Sequence, residues 1–213
     1  MKFSEYKWGK PETDAHQYIF PVIFSLIEGY KVPKNALILD AGCGGGNLLS
    51  VLYGYGFENI YGFDISKSGI ETALKCFPFL KGKVFVHDGY DKDLPLDIPQ
   101  QFDVVISLEV IEHLFSPDTY LRNVNKWLKE EGFLIISTPY HGFLKNVVIA
   151  LLGKFDTHFN PLFEGGHIKF FSMATLAKLL SKNGFDILKF KGAGRVPYLW
   201  KSMVIVAQKT RCL

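Results

Sequence analysis

Short runs that are apolar throughout alternate with amphipathic stretches along the chain. Ala36–Asp40 is one such run, and Asn59–Asp64, Lys83–His87, Phe102–Ser107 and Gly132–Ser137 repeat its form. Runs of this kind, in place of strict alternation, predict strands covered on both faces of a parallel sheet. Between them lie candidate helices: Asn47–Tyr53, a segment capped by Ser66 or Ser68 that runs through Cys76, and 117–129. In the last of these Pro117 opens the helix, and Leu121, Val124 and Leu128 share one face. A further helix over 14–30 has Asp14 as its cap and Tyr18, Val22, Ile23, Leu26 and Ile27 on one side, with Pro21 predicting a kink or a late start. Residues 172–183 read as a helix capped by Ser172, followed by strands near 185–191 and 202–208.

Regular alternation of strand and helix predicts a single α/β domain with a doubly wound, Rossmann-like sheet over 1–213, in which 1–34 form an N-terminal helical arm. Ligands of such sheets sit beyond the carboxyl ends of the strands, so the loops after residues 40, 64, 88 and 107 should line the site. Tyr140–Gly166 is long for a strand-to-helix connection, and 140–170 reads as a lid or acceptor-site insertion.

Composition narrows the class of molecule. Hydrophobic residues make up 48% and charged residues 21%, which excludes a disordered chain. A net charge of +3, with no basic block, disfavours nucleic acid as a partner and leaves a small molecule. Cys43, Cys76 and Cys212 are too scattered for a disulfide framework or a zinc knuckle, and they fit a reducing, cytoplasmic setting. The apolar windows Tyr18–Ile27 and Val147–Leu152 fall short of the roughly 20 residues a membrane span needs. Aromatics at 15% suit a Phe-rich core, an aromatic-lined pocket or a lipid-facing surface.

Candidate chemistry begins in the first loop, Asp40-Ala-Gly42-Cys43-Gly44-Gly45-Gly46-Asn47. Glycines after a first strand let the backbone approach a ligand closely. The spacing departs from the Gly-x-Gly-x-x-Gly of dinucleotide folds, because Asn47 stands at its last position. A carboxylate at Asp40 suits a cationic ligand better than a pyrophosphate. Asp64 follows at the distance where an acid holds ribose hydroxyls, and Asp88 can accept from an adenine amino group.

These features together resemble the class I S-adenosylmethionine-dependent methyltransferases. ILDAGCGGGNL looks like their first motif, IYGFDIS like the second, HDG like the adenine loop, and FDVVISLEVIEHL and LKEEGFLIISTP like the motifs of their fourth and fifth strands. The resemblance implies a seven-stranded sheet in the order 3-2-1-4-5-7-6 with the last strand antiparallel. It also implies that Gly42 and Gly44 approach the methionine part, Asp64 binds the ribose, Ile65 packs beside the adenine, and Asp88 and Gly89 border its edge. Asp40, Cys43, Asn47, Leu108 and Glu109 complete the candidate cofactor-binding residues. The N-terminal Tyr6, Trp8 and Tyr18 either close over the cofactor, as such arms do in this family, or pack in the core.

A second constellation follows the fourth strand. If Leu108–His113 begins a helix, Glu109, Glu112 and His113 fall at i, i+3 and i+4 on one face. Two close carboxylates repel, and a divalent cation such as Mg²⁺, Mn²⁺ or Zn²⁺ would resolve that. His113, with Glu112, can instead serve as the catalytic base pair. This stretch, the STP that follows and GGHIKFFS resemble the ubiquinone-biosynthesis O-methyltransferases, and also the catalytic domain of small-RNA 2′-O-methyltransferases. That resemblance implies a metal set of Glu109, Glu112, His113 and His167, and a phenolic or quinone-precursor acceptor. Sugars, carboxylates, amines and an RNA end stay open as acceptors, as does a non-catalytic S-adenosylmethionine-binding protein. His141 and His158 read as surface residues. Phe143–Phe155 is an apolar helix that either packs as a lid or lies on a membrane, with Lys145 and Lys154 at the head groups.

Overall fold

The computed structural model describes residues 16–162 and 165–210, apart from the side chain of His16. Its strands are β1 (Ile38–Ala41), β2 (Ile60–Asp64), β3 (Val84–Val86), β4 (Phe102–Leu108), β5 (Leu128–Pro139), β6 (Phe185–Ala193) and β7 (Ser202–Lys209). The helices are α1 (His16–Gly29), α2 (Asn47–Gly54), α3 (Lys67–Cys76), α4 (Pro117–Trp127), α5 (Phe143–Leu151), α6 (Phe155–His158) and α7 (Met173–Lys182). One sheet takes the order β3-β2-β1-β4-β5-β7-β6, as expected. β1 to β5 pair in parallel, and β7 runs antiparallel to both β5 and β6.

The apolar runs are explained by burial on both faces. Ile38 and Ile60 belong to a core shared with α1, α2 and α3, where Ile23, Leu49, Leu52 and Ala73 are buried. Leu39 and Val105, the intervening residues, belong to a second core with Tyr120, Leu121, Trp127, Leu176 and Leu180 of α4 and α7. Each central strand therefore feeds one side chain to each core in turn.

Local chemistry sets the boundaries. Ser66, not Ser68, caps α3, its hydroxyl accepting from Gly69 N–H at 3.1 Å. Ser172 caps α7 in a capping box with Thr175. α4 stops at Trp127, two residues early, and β5 begins at Leu128, because Leu128 pairs with Phe102. The register shifts before Val104, and Glu131 turns there in the left-handed region at φ 60°. Pro21 lies inside α1 near its start. The expected cap Asp14, with Tyr6, Trp8 and Cys212, lies outside the described residues. Among the described residues no helix is long and apolar enough to cross a membrane.

Candidate active site

The ends of β1, β2 and β3 carry the first group of expected residues, and the structure brings them together through backbone contacts. After Asp40 the chain folds back on β2, so that the N–H groups of Gly42 and Cys43 both donate to Phe63 O at 2.8 Å. Gly42 takes φ 95°, and a Cβ there would lie 2.4 Å from Val110 Cγ2. Asp64 receives Gly44 N–H on Oδ2 and Ser66 N–H on Oδ1, each at 2.8 Å. The carboxylate thus ties two loops together, and each oxygen keeps a lone pair for a ribose hydroxyl. Asp40 is buried, and its carboxyl is pushed up to about 8, first by burial and then by the nearby Asp64. A buried acid of this kind suits a cation such as a sulfonium or an ammonium. Burial, then Asp40, also push the Cys43 thiol up, so it is a neutral wall and no nucleophile.

The expected adenine side is similarly compact. Asp88 accepts from Tyr90 N–H at 2.9 Å. Gly89 O accepts from Asn123 Nδ2 at 3.0 Å, and a Cβ on Gly89 would meet the Tyr120 ring at 2.8 Å. Ile65 is 57% exposed, offering open apolar surface to a flat ring. Asn47 opens α2, and Leu108 closes β4. Tyr120 was not among the expected residues. Its hydroxyl bonds Ser107 at 2.8 Å and donates to Ala41 O at 3.3 Å, joining the ends of β1 and β4.

The loop after β4 departs from the expected helix. Glu109 stands in the left-handed region at φ 56°, and only Ile111–His113 form a short 3₁₀ turn. The three acidic and imidazole side chains therefore do not share a helical face. Glu109 turns toward the sheet, where its Oε1 accepts from Ser137 at 2.7 Å and its Oε2 from Ser202 at 2.9 Å. Burial still raises its carboxyl to about 7.

Glu112, His113 and His167 come together instead, their ligand atoms all within 4.8 Å of one another, and Glu109 is not part of that group. Glu112 is fully buried, and burial followed by Glu109 hold its carboxyl well above the usual range. Thr138 Oγ1 donates to Glu112 Oε2 at 2.9 Å, while Oε1 has no hydrogen-bond partner among the described residues. The backbone seats the far segment: Ile168 and Lys169 N–H both donate to Glu112 O at 2.9 Å. The His113 and His167 rings meet edge to face at 4.9 Å. His113 Nδ1 bonds Gly166 O at 3.3 Å. A carbonyl only accepts, so Nδ1 carries the proton and the Nε2 lone pair is left for chemistry. Burial lowers His113, and burial with His113 beside it takes His167 down to about 4.

The insertion corrects two expectations. His141 is buried, 7% exposed, because its ring packs against Phe159 at 5.4 Å and Phe170 at 5.2 Å, while His158 stays exposed. Lys145 turns inward and is 3% exposed, its Nζ donating to Lys201 O at 3.2 Å, so it cannot reach head groups. Lys154 is exposed, as are Phe143, Leu144, Leu151, Leu152 and Phe155. Tyr18 lies beside this half of the site, its hydroxyl 3.4 Å from Ser202 Oγ. Sequence reasoning missed Ser137, Ser202 and Thr138; the available signal was polar residues at the ends of otherwise apolar strands.

Comparison with known proteins identifies the family and the fold. The model of a methyltransferase domain matches residues 17–189. The chain is 31% identical over 197 residues to a ubiquinone biosynthesis O-methyltransferase of Rickettsia bellii, covering 90% of this chain and 81% of that protein. It is 29% identical over 170 residues to the same-named protein of Pelagibacter ubique, covering 79% of this chain and 69% of the relative. The fold matches that of magnesium protoporphyrin IX methyltransferase from Synechocystis PCC 6803 with bound S-adenosylhomocysteine, at a TM-score of 0.67 and 23% identity over 90% of this chain and 82% of that one. The matched domain spans most of the chain, and the chain belongs to the S-adenosylmethionine-dependent methyltransferases.

Proposed function

We propose that the protein O-methylates a small hydroxylated acceptor, a phenol or quinone precursor, seated at Glu112, His113 and His167. The observation that carries this reading is the convergence of those three side chains beside the cofactor loops, with Glu112 Oε1 lacking a hydrogen-bond partner among the described residues. The names of the curated relatives support the acceptor class. S-adenosylmethionine is already activated at sulfur, so the task left to the chain is alignment of oxygen, methyl carbon and sulfur, and removal of one proton. His113 accepts the hydroxyl proton at Nε2, oriented by its Nδ1–H on Gly166 O. Ser137 and Ser202 fix Glu109 where the cofactor and acceptor halves meet.

The same three side chains fit a divalent cation, since a buried carboxylate oxygen without a partner among the described residues and two imidazoles make a mixed O,N donor set. Glu112 and the two histidines would hold it, and when bound it would lower the pKa of vicinal hydroxyls and fix their orientation. The exposed apolar residues of α5 and the turn after it, with Lys154, support shallow contact with a membrane surface on its cytoplasmic side, where a lipidic acceptor would be presented.

Titration of Mg²⁺, Mn²⁺ and Zn²⁺ into chelator-stripped protein loaded with S-adenosylhomocysteine tests the cation. Saturable binding that Glu112→Gln and His167→Ala abolish supports it; no binding leaves His113 as a metal-free base. Methyl transfer to catechol tests the acceptor class, and loss of turnover by about 10²–10⁴-fold is expected for His113→Ala. Transfer confined to amines or carboxylates would overturn the O-methyl reading.

A further inference from the structure

We infer that Tyr120 is a positioning residue for methyl transfer. Through its hydroxyl it sets the spacing between the loop after β1, which takes the methyl donor, and the loop after β4, which carries Glu109, Glu112 and His113. The inference goes beyond the acceptor reading above and uses it only for the side from which the acceptor approaches.

β1 and β4 are neighbours at the point where the strand order reverses and a crevice opens in sheets of this kind. Their ladder ends with Asp40 opposite Ile106. Beyond that pair each strand follows its outer neighbour: Ala41 stays with Phe63 of β2, and Ser107 with Ile136 of β5. Ala41 and Ser107 are therefore where the two backbones part, just before Gly42 on one side and Leu108 and Glu109 on the other.

Tyr120 spans that parting with its side chain. Its hydroxyl donates to Ala41 O at 3.3 Å. The hydroxyl has one proton and a carbonyl only accepts, so in the 2.8 Å bond to Ser107 it is the serine that donates. Burial pushes the phenol up, so it stays protonated and a donor. Tyr120 and Ser107 are both buried and offer no surface to a ligand, so any effect passes through the backbone of Ala41 and Ser107. The ring packs against Gly89 and edge-on to Trp127 at 6.4 Å, a place that phenylalanine would fill equally well. What the hydroxyl adds is the tie across the parting strands.

α4 holds this side chain in a fixed frame. Asn123 Nδ2 donates to Gly89 O at 3.0 Å and to Tyr90 O at 2.9 Å, and Trp127 Nε1 to Lys92 O at 2.9 Å. One helix thus grips the loop after β3 and the parting of β1 from β4 together. Val110 in turn lies against Gly42, where a Cβ would come within 2.4 Å of its Cγ2. A change of spacing at Ala41 and Ser107 is passed to both loops. Transfer needs acceptor, methyl carbon and sulfur in line, and a misplacement of about 1 Å can cost about 100-fold in rate.

The test removes the hydroxyl and keeps the ring. Tyr120→Phe, Ser107→Ala and the double variant are made in the full chain. Each is expected to bind S-adenosylhomocysteine within about threefold of wild type by calorimetric titration. The methyl resonance of bound S-adenosyl-[methyl-¹³C]methionine is expected to move from its wild-type position. With catechol as acceptor, kcat should fall by about 10- to 100-fold while KM holds within about threefold. Both oxygens serve one contact, so the double variant should be no slower than the slower single one. A melt verifies folding, and if Tyr120→Phe does not fold, Ser107→Ala carries the same readings.

An unmoved methyl resonance overturns the inference, as does an unchanged kcat. Loss of cofactor affinity beyond about threefold also overturns it, because Tyr120 would then only support the cofactor loop. So does a double variant whose loss is the product of the two single losses. If the wild type does not methylate catechol, that result counts against the phenol reading alone, and the methyl resonance and cofactor affinity decide on Tyr120.

Discussion

The two halves of the proposed site are made in different ways. On the cofactor side, Asp40, Gly42, Gly44, Asp64 and Asp88 end three adjacent parallel strands, and the contacts among them run largely through backbone N–H groups, as from Gly44 to Asp64 only 20 residues away. On the acceptor side the contacts join side chains borne by distant elements, as from Ser202 to Glu109 across 93 residues. The first arrangement depends on turn conformations that few residues can adopt. The second depends on individual side chains and can be altered without refolding the backbone. Recognition of an invariant cofactor and recognition of a particular acceptor are thereby separable.

Gly42→Ala should expose this difference most strongly. The left-handed conformation and the approach of Val110 at 2.4 Å act together. They should destabilise the fold by about 2–4 kcal/mol, lowering Tm by roughly 5–15 °C and weakening S-adenosylhomocysteine with it. Calorimetric titration beside a melt reads both, and wild-type cofactor affinity in this variant would remove the claim that the backbone sets cofactor recognition.

Asp40→Asn should come next, with a signature in pH. In the free protein the carboxyl is raised from 3.8 to about 8. The folded chain then holds a proton that the unfolded chain has lost between those values, so stability falls as pH rises through that window. A cationic cofactor favours the ionised carboxylate. Its binding at pH 7 should release a proton, and its affinity should decline as pH falls below about 8. Asp40→Asn should raise the Tm of the free protein near pH 7, weaken S-adenosylmethionine, and flatten both profiles. Titrations in buffers of different ionisation enthalpy count the proton, and a count of zero in the wild type would show that Asp40 does not change its protonation on binding, against this expectation.

Ser202→Ala should have the smallest effect and fall on the other half. Loss of one hydrogen bond to Glu109 should cost about 1–2 kcal/mol and a few degrees of Tm. S-adenosylhomocysteine affinity should hold while KM for the acceptor changes. An equal loss of cofactor binding would mean that the two halves are not separable.

How much could be read beforehand follows the same division. The sheet and its order were legible because each central strand is buried on both faces and so is written as an apolar run, as in Phe102–Ser107. The cofactor loops were legible because their residues are contiguous and their glycines are demanded by local backbone. Glu112 and His113 were nameable from their spacing after the fourth strand, whereas His167 joined them only through family resemblance, since nothing in spacing brings residue 167 to residue 112. The helical alignment of Glu109 with Glu112 failed because the left-handed turn at Glu109 is held by Ser137 and Ser202, long-range partners that no local pattern encodes. Lys145 read as an outward-facing charge because helix position alone does not reveal which side of α5 the rest of the chain covers. His141 misled for the same reason: Phe159 and Phe170, which bury it, lie well beyond it in sequence.

The antiparallel register of β7 against β5, with Ser202 opposite Pro139 and Val204 opposite Ser137, has a consequence for the order of assembly. During synthesis, the loops after β1 and β2 can close against each other long before residue 202 has left the ribosome. Closing the 93-residue span from Glu109 costs about 1 kcal/mol more in chain entropy than closing the 20-residue one from Gly44. The tie between Ser202 and Glu109 is thus the entropically costlier of the two, and it waits for β7 to pair with β5 and β6.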